Sequence, residues 1–103
     1  GRVSEILQYR AGELGISEVF QGVADKAACL QSICKKYEVT YQEMAYIGDD
    51  LNDLDCMELC GVKGCPADAV AQIKQISDFV SSQDGGDGAV REFIDWLVER
   101  NLT

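Results

Sequence analysis

Apolar residues at Val3, Ile6, Leu7, Ala11 and Leu14 recur at helical spacing, and this stripe predicts an amphipathic helix closed by Gly15. Ile16 to Phe20 is a shorter apolar piece in which Glu18-Val19-Phe20 reads as a strand, ended by Gln21-Gly22. A second helical stripe follows at Ala27, Leu30, Ile33, Cys34 and Tyr37, with Asp25 placed to cap it. Met44-Ala45-Tyr46-Ile47 breaks the helical period. It is a continuous apolar run of strand length, cut by Gly48 and followed at once by acids. Leu51 to Cys60 reads as a helix stopped by Gly61, and Val62 to Cys65 as a short strand before Pro66. Val70, Ile73 and Ile76 mark another helix and Asp78-Phe79-Val80 another strand. The loop Asp84-Gly85-Gly86-Asp87-Gly88 then leads into a final amphipathic helix on Ala89, Val90, Phe93, Ile94, Leu97 and Val98.

Helices thus alternate with uninterrupted apolar strands. That pattern predicts an α/β fold, a parallel sheet with flanking helices. At 103 residues there is room for one such domain or part of one, and no internal repeat or linker divides the chain.

Charge narrows the possible partners. Nine basic residues against eighteen acidic ones leave a net charge of -9. No cationic face is available for a phosphate backbone or an anionic bilayer, so neither nucleic acid nor membrane is expected as a partner. No apolar run approaches the ~20 residues of a membrane span. The excess is concentrated in the second half, where residues 49–103 hold twelve acids and four bases. Histidine is absent, which removes the commonest general base and metal ligand. The cysteines, Cys29, Cys34, Cys56, Cys60 and Cys65, are odd in number and form no C-x-x-C pair, as expected of reduced thiols in a cytoplasmic protein. The chain opens Gly1-Arg2-Val3, without Met, as a trimmed or partial sequence would.

In open α/β sheets ligands gather beyond the carboxyl ends of the strands. The most heavily loaded such position is Gly48-Asp49-Asp50-Leu51-Asn52-Asp53. Asp53 follows Asp49 by four residues, so one helical turn returns it to the same mouth. Clustered carboxylates repel unless a cation neutralises them, and oxygen ligands alone suit Mg²⁺. The plainer alternative is that Asn52 or Asp53 caps the next helix while the other acids are solvated. Lys26 opens a helix just after a strand, where it either faces the acids or is simply exposed. Arg2 occupies a comparable position ahead of the first stripe. Gly85 and Gly86 would offer backbone N–H groups to an anion, or form only a flexible turn.

Taken together, Gly1-Arg2, Asp25-Lys26, Ala45-Tyr46-Ile47-Gly48-Asp49-Asp50-Leu51-Asn52-Asp53 and Gly85-Gly86-Asp87-Gly88-Ala89-Val90-Arg91-Glu92 resemble the haloacid dehalogenase superfamily. Within it they are similar to the small capless phosphatases of 3-deoxy-octulosonate 8-phosphate and of sialic-type 9-phosphates. Related domains end some acylneuraminate cytidylyltransferases. The resemblance covers essentially the whole chain. It implies a Rossmann-like domain, Mg²⁺-assisted phosphoryl transfer through an aspartyl-phosphate, a phosphorylated sugar acid as substrate and a homotetramer. By the same resemblance Asp49, Asp50 and Asp53 would bind or orient the metal. Lys26 would neutralise the phosphate, Arg2 would face the substrate, and Gly85 and Gly86 would lie near an active-site mouth. The family's first motif, D-x-D-G, which carries the nucleophile and the general acid, has no counterpart in this sequence. Residues 1–103 are therefore expected to be the C-terminal portion of a single such domain, lacking its N-terminal strands and inert alone, with a gap in the sheet before the Tyr46–Ile47 strand. The alternative is a non-catalytic module for assembly or regulation. A phospho-receiver domain fits less well, because there the acids precede the lysine.

Overall fold

Every residue of the strand Met44–Ile47 is buried, and the rest of the molecule is arranged on its two faces and two edges. In the computed structural model residues 3–10, 13–21, 26–85 and 88–101 are described. Their elements run β1 (Val3–Arg10), β2 (Glu13–Gln21), α1 (Lys26–Tyr37), β3 (Met44–Ile47), α2 (Leu54–Leu59), β4 (Val62–Cys65), α3 (Ala71–Ile76), β5 (Phe79–Val80) and α4 (Ala89–Asn101). Short 3-10 turns at Tyr41–Glu43 and Leu51–Asp53 precede β3 and α2. The strands form one sheet in the order β2-β1-β3-β4-β5.

The three strands β3, β4 and β5 are parallel, with helices flanking them, and this is the α/β architecture that the alternating pattern predicts. Side chains alternate along β3 as the pleat requires. Met44 and Tyr46 enter a core with Leu30 and Ile33 of α1, Cys56 and Met57 of α2 and Ile73 of α3. Ala45 and Ile47 point the other way, into a core with Val62 of β4 and Ala89, Phe93 and Leu97 of α4. Phe79, Phe93 and Trp96 stack on that second side, with ring centroids 5.0–6.0 Å apart, and the Arg100 guanidinium lies 4.7 Å over Trp96. Gly64 is what lets α4 approach the sheet so closely, since a Cβ there would stand 2.5 Å from the Phe93 ring.

The N-terminal segment departs from the sequence expectation. Of the helical stripe, Val3, Ile6 and Leu7 lie instead in strand β1 and Leu14 in β2, an antiparallel pair with a register shift between Ile6 and Leu7, while Ala11 lies outside the described residues. The strand expected at Glu18–Phe20 is present, but as the end of the longer β2. The reason lies in β3. A strand buried at all four positions must pair its backbone groups along both edges, and β4 serves only one. β1 serves the other, pairing Glu5 to Gln8 antiparallel with Ile47 to Met44. Backbone pairing outweighs a local helical preference worth only tenths of a kcal/mol per residue. The expected gap is closed in the same way, because β1 stands between β2 and β3 and the sheet is continuous. Asp25, read as the cap of α1, lies outside the described residues.

Candidate functional site

At the end of β3 the Gly48 N–H donates to the Gly64 carbonyl (3.1 Å), carrying the parallel pairing one residue past the strand. Asp50 is extended, and its carboxylate accepts from the Leu51 N–H (2.7 Å). It thereby caps the 3-10 turn Leu51–Asp53, which the Asp53 N–H closes on the Asp50 carbonyl (2.9 Å). That turn swings Asp53 back under the strand end. Gly48 leaves the space it needs: a Cβ at that position would stand 2.7 Å from both Cβ and Cγ of Asp53.

The Asp53 side chain is fully buried. Oδ1 accepts from Lys26 Nζ (2.7 Å) and from the Tyr46 hydroxyl (2.7 Å). Oδ2 accepts from the backbone N–H groups of Asp49 (3.0 Å) and Asp50 (3.2 Å). A buried carboxylate is tolerated only with such compensation, one cation and several aligned donors. Lys26 reaches it from the first residue of α1 and keeps its side chain 13% exposed, so the ammonium faces the carboxylate on one side and the surface on the other. The same ammonium lies 3.5 Å from Asn52 Oδ1.

The sequence candidates Lys26, Asp49, Asp50 and Asp53 thus meet at the carboxyl end of β3. Asp49 is buried, at 7% exposure, whereas Asp50 is exposed. The capping alternative is not borne out, since Asp49 and Asp53 are buried rather than solvated. Asp50 rather than Asn52 or Asp53 is the cap, and Asp53 makes no side-chain cap bond to α2. Neighbouring loops are tied to this edge. The Val70 N–H donates to the Asp49 carbonyl (3.0 Å), and the Ala67 N–H to the Gln83 carbonyl (2.8 Å). The Gly85 N–H donates to Asp68 Oδ1 (2.9 Å). Gly85 therefore stands at the carboxyl edge of the sheet, with its N–H directed at a carboxylate. Arg2 and Gly86 lie outside the described residues.

Oxygen donors without histidine suit a hard divalent cation. Among the described residues no three acidic or cysteine side chains converge on one point. Asp53 accepts from Lys26, Tyr46 and the loop amides, the Asp50 carboxylate accepts from Leu51, and Asp49 lies buried beside them.

Tyr46 escaped the sequence reading because it counted simply as one of four apolar residues in a strand. The available signal was a phenol in a strand otherwise free of polar atoms, since a buried tyrosine hydroxyl usually has a partner. All five cysteines are free thiols, with Cys56, Cys60 and Cys65 buried and Cys29 and Cys34 half-buried. Burial pushes the Cys60 thiol up to about 12, helped by Cys56 and Cys34 and opposed by Lys63. Among the described residues no helix is long and apolar enough to cross a membrane.

Residues 2–94 match the haloacid dehalogenase-like hydrolase family. The chain is 39% identical over 99 residues to the 3-deoxy-D-manno-octulosonate 8-phosphate phosphatase of Haemophilus influenzae, covering 96% of this chain and 55% of that protein. It is 35% identical over 98 residues to the phosphatase of the same name from Escherichia coli K12, covering 95% and 52%. The structure of the cobalt-bound Haemophilus enzyme superposes with a TM-score of 0.73 at 36% identity, covering 80% of this chain and 48% of that one. The Yersinia pestis phosphatase superposes with a TM-score of 0.74 at 32% identity, covering 80% and 44%. The chain spans about half the length of the curated relatives it matches.

Proposed function

The chain belongs to the haloacid dehalogenase-like hydrolases, and from that premise we propose that it is the C-terminal portion of a phosphomonoesterase domain acting on a phosphorylated sugar acid. The substrate proposed first is 3-deoxy-D-manno-octulosonate 8-phosphate, on the strength of phosphatases of that substrate to which the chain is similar in sequence. A sialic-type 9-phosphate is the second. The observation that carries the reading is the Lys26–Asp53 pair beside Asp49 at the carboxyl end of β3.

In this reading Asp49 and Asp50 hold a divalent cation, with Mg²⁺ proposed. Cobalt in a similar phosphatase supports a divalent ion. When bound, such an ion neutralises phosphate oxygens and so supplies charge stabilisation. The chain's own residues do the remainder. Asp53 holds the Lys26 ammonium in place, and that cation attracts the phosphate and offsets charge developing on it. Asp53 also draws in the Asp49 and Asp50 N–H groups, which fixes the backbone that carries the two metal-directed carboxylates. Arg2, Gly85 and Gly86 are proposed to contact the substrate. A homotetramer and a cytoplasmic location belong to the same proposal.

The attacking carboxylate of a D-x-D-G motif is not among these residues, so the 103-residue chain is proposed to be inert alone. The test is Mg²⁺-dependent phosphate release from the octulosonate 8-phosphate by a longer protein carrying this segment behind such a motif. Release that is lost on Asp49→Ala supports the reading. No release from any sugar-acid phosphate overturns it, and a non-catalytic module for assembly then takes its place.

A further inference from the structure

We propose that Tyr46 is a positioning residue of this site, acting through Asp53 to fix both the Lys26 ammonium and the backbone of Asp49 and Asp50. As a role in catalysis this rests on the phosphatase reading; as a statement about the loop it does not. Of the four donors named on Asp53, Lys26 comes from a helix end and the Asp49 and Asp50 amides from the loop itself. Tyr46 alone belongs to the sheet. Its ring is fully buried in a strand buried at every position, so the hydroxyl has a fixed location that a flexible lysine lacks. The 2.7 Å bond to Oδ1 therefore sets the rotation of the carboxylate. With Oδ1 held between Tyr46 and Lys26, Oδ2 is presented to the two loop amides.

Packing does not require the hydroxyl. A phenylalanine fills the same space with the same rotamers, and the remainder of the core around Met44, Leu30 and Met57 is indifferent to it. What the oxygen adds is orientation. Without it the carboxylate is free to turn about its last torsion toward Lys26, and its second oxygen leaves the Asp49 and Asp50 N–H groups.

The experiment is amide hydrogen exchange by NMR on the protein and its Tyr46→Phe variant, each also in an Asp53→Asn background. We expect Tyr46→Phe to speed exchange at Asp49 and Asp50 about tenfold, the size of one lost charge-assisted hydrogen bond, while amides of β4 and α4 are unchanged. In the Asp53→Asn background the same substitution changes nothing further at those two amides. Unchanged exchange at Asp49 and Asp50 overturns the proposal. So does equal acceleration throughout β4 and α4, which would make the hydroxyl a general stabiliser, or an undiminished effect without the Asp53 carboxylate. In a longer protein that releases phosphate, Tyr46→Phe should lower kcat about tenfold at unchanged KM. If the unsubstituted protein releases none, the phosphatase reading fails while the exchange result still decides the role of Tyr46.

Discussion

Replacing Lys26 with Met removes the cation facing the Asp53 carboxylate and leaves that charge buried. At the 2.7 Å separation of Nζ and Oδ1, an effective dielectric near 20 gives a gross attraction of about 6 kcal/mol. The net loss is smaller. The native pair already carries the desolvation cost of the Lys26 ammonium, which the Met variant does not, and Asp53 keeps its bonds from Tyr46 and two amides. Breaking a buried pair from one side costs roughly 3–5 kcal/mol. The partial exposure of Lys26 places this case near the lower bound, about 3 kcal/mol. In a chain of 103 residues that corresponds to a fall in Tm of about 14 °C. Asp53→Asn alone also destabilises, because an amide offers a donor where the native group only accepts. The double variant Lys26→Met/Asp53→Asn, however, contains no orphaned charge. It should be more stable than the sum of the two losses by about 2 kcal/mol, as for directly interacting groups. Urea unfolding of all four proteins, compared at equal m, measures this coupling. Strict additivity, or a loss below about 0.5 kcal/mol for Lys26→Met, would refute the claim that the ammonium compensates this carboxylate.

Three further outcomes follow from the geometry. Gly48→Ala drives a methyl against Asp53 and should cost about 2 kcal/mol in urea melts, with exchange at Asp49 and Asp50 rising together; a neutral result would place Asp53 elsewhere. Native protein at pH 8 should label with a thiol reagent at Cys29 and more slowly at Cys34, whose thiol burial pushes up, and at Cys56, Cys60 and Cys65 only after unfolding; equal labelling of all five would contradict the packing. Glu92 accepts from the Ser82 N–H (3.0 Å) and hydroxyl (2.8 Å), and the backbone bond chiefly holds its carboxyl below the ordinary value of 4.5. A depressed carboxyl contributes stability above its unfolded pKa and loses it as pH falls through the folded one. Glu92→Gln should therefore flatten the decline of Tm below pH 4.5, and an unchanged slope would show that the bond has no weight.

Where a segment's own pattern coincided with its packing, the sequence was sufficient. Met44–Ile47 reads as a strand because it is apolar on both faces, and both faces are in fact covered. The stripe from Ala89 to Val98 forms α4 because one side of it meets the sheet. Val3 to Leu14 failed for the opposite reason. Its helical spacing is a local property, whereas its conformation is decided by the unpaired edge of a strand some 40 residues away. The acid cluster was legible as a cluster because spacing alone returns Asp53 to Asp49. Spacing does not reveal which carboxylate is buried, which one caps the turn, or that Tyr46 supplies a donor. Those depend on side-chain depth and on the space left at Gly48, which exist only once the strand and the turn are assembled.

Trp96 is the chain's single tryptophan, and it sits against Phe79 and Phe93 on the α4 side of the sheet, under Arg100. Tyr46 and the buried carboxylate occupy the opposite side. Intrinsic fluorescence excited at the indole is thus an optical reporter of one layer only. A ligand arriving at the carboxyl edge perturbs that emission only if β3, whose alternate residues reach both layers, or the loop that Ser82 ties to Glu92 of α4, transmits the change. A silent indole alongside altered Asp49 and Asp50 amide signals would show that the two halves of the molecule respond separately.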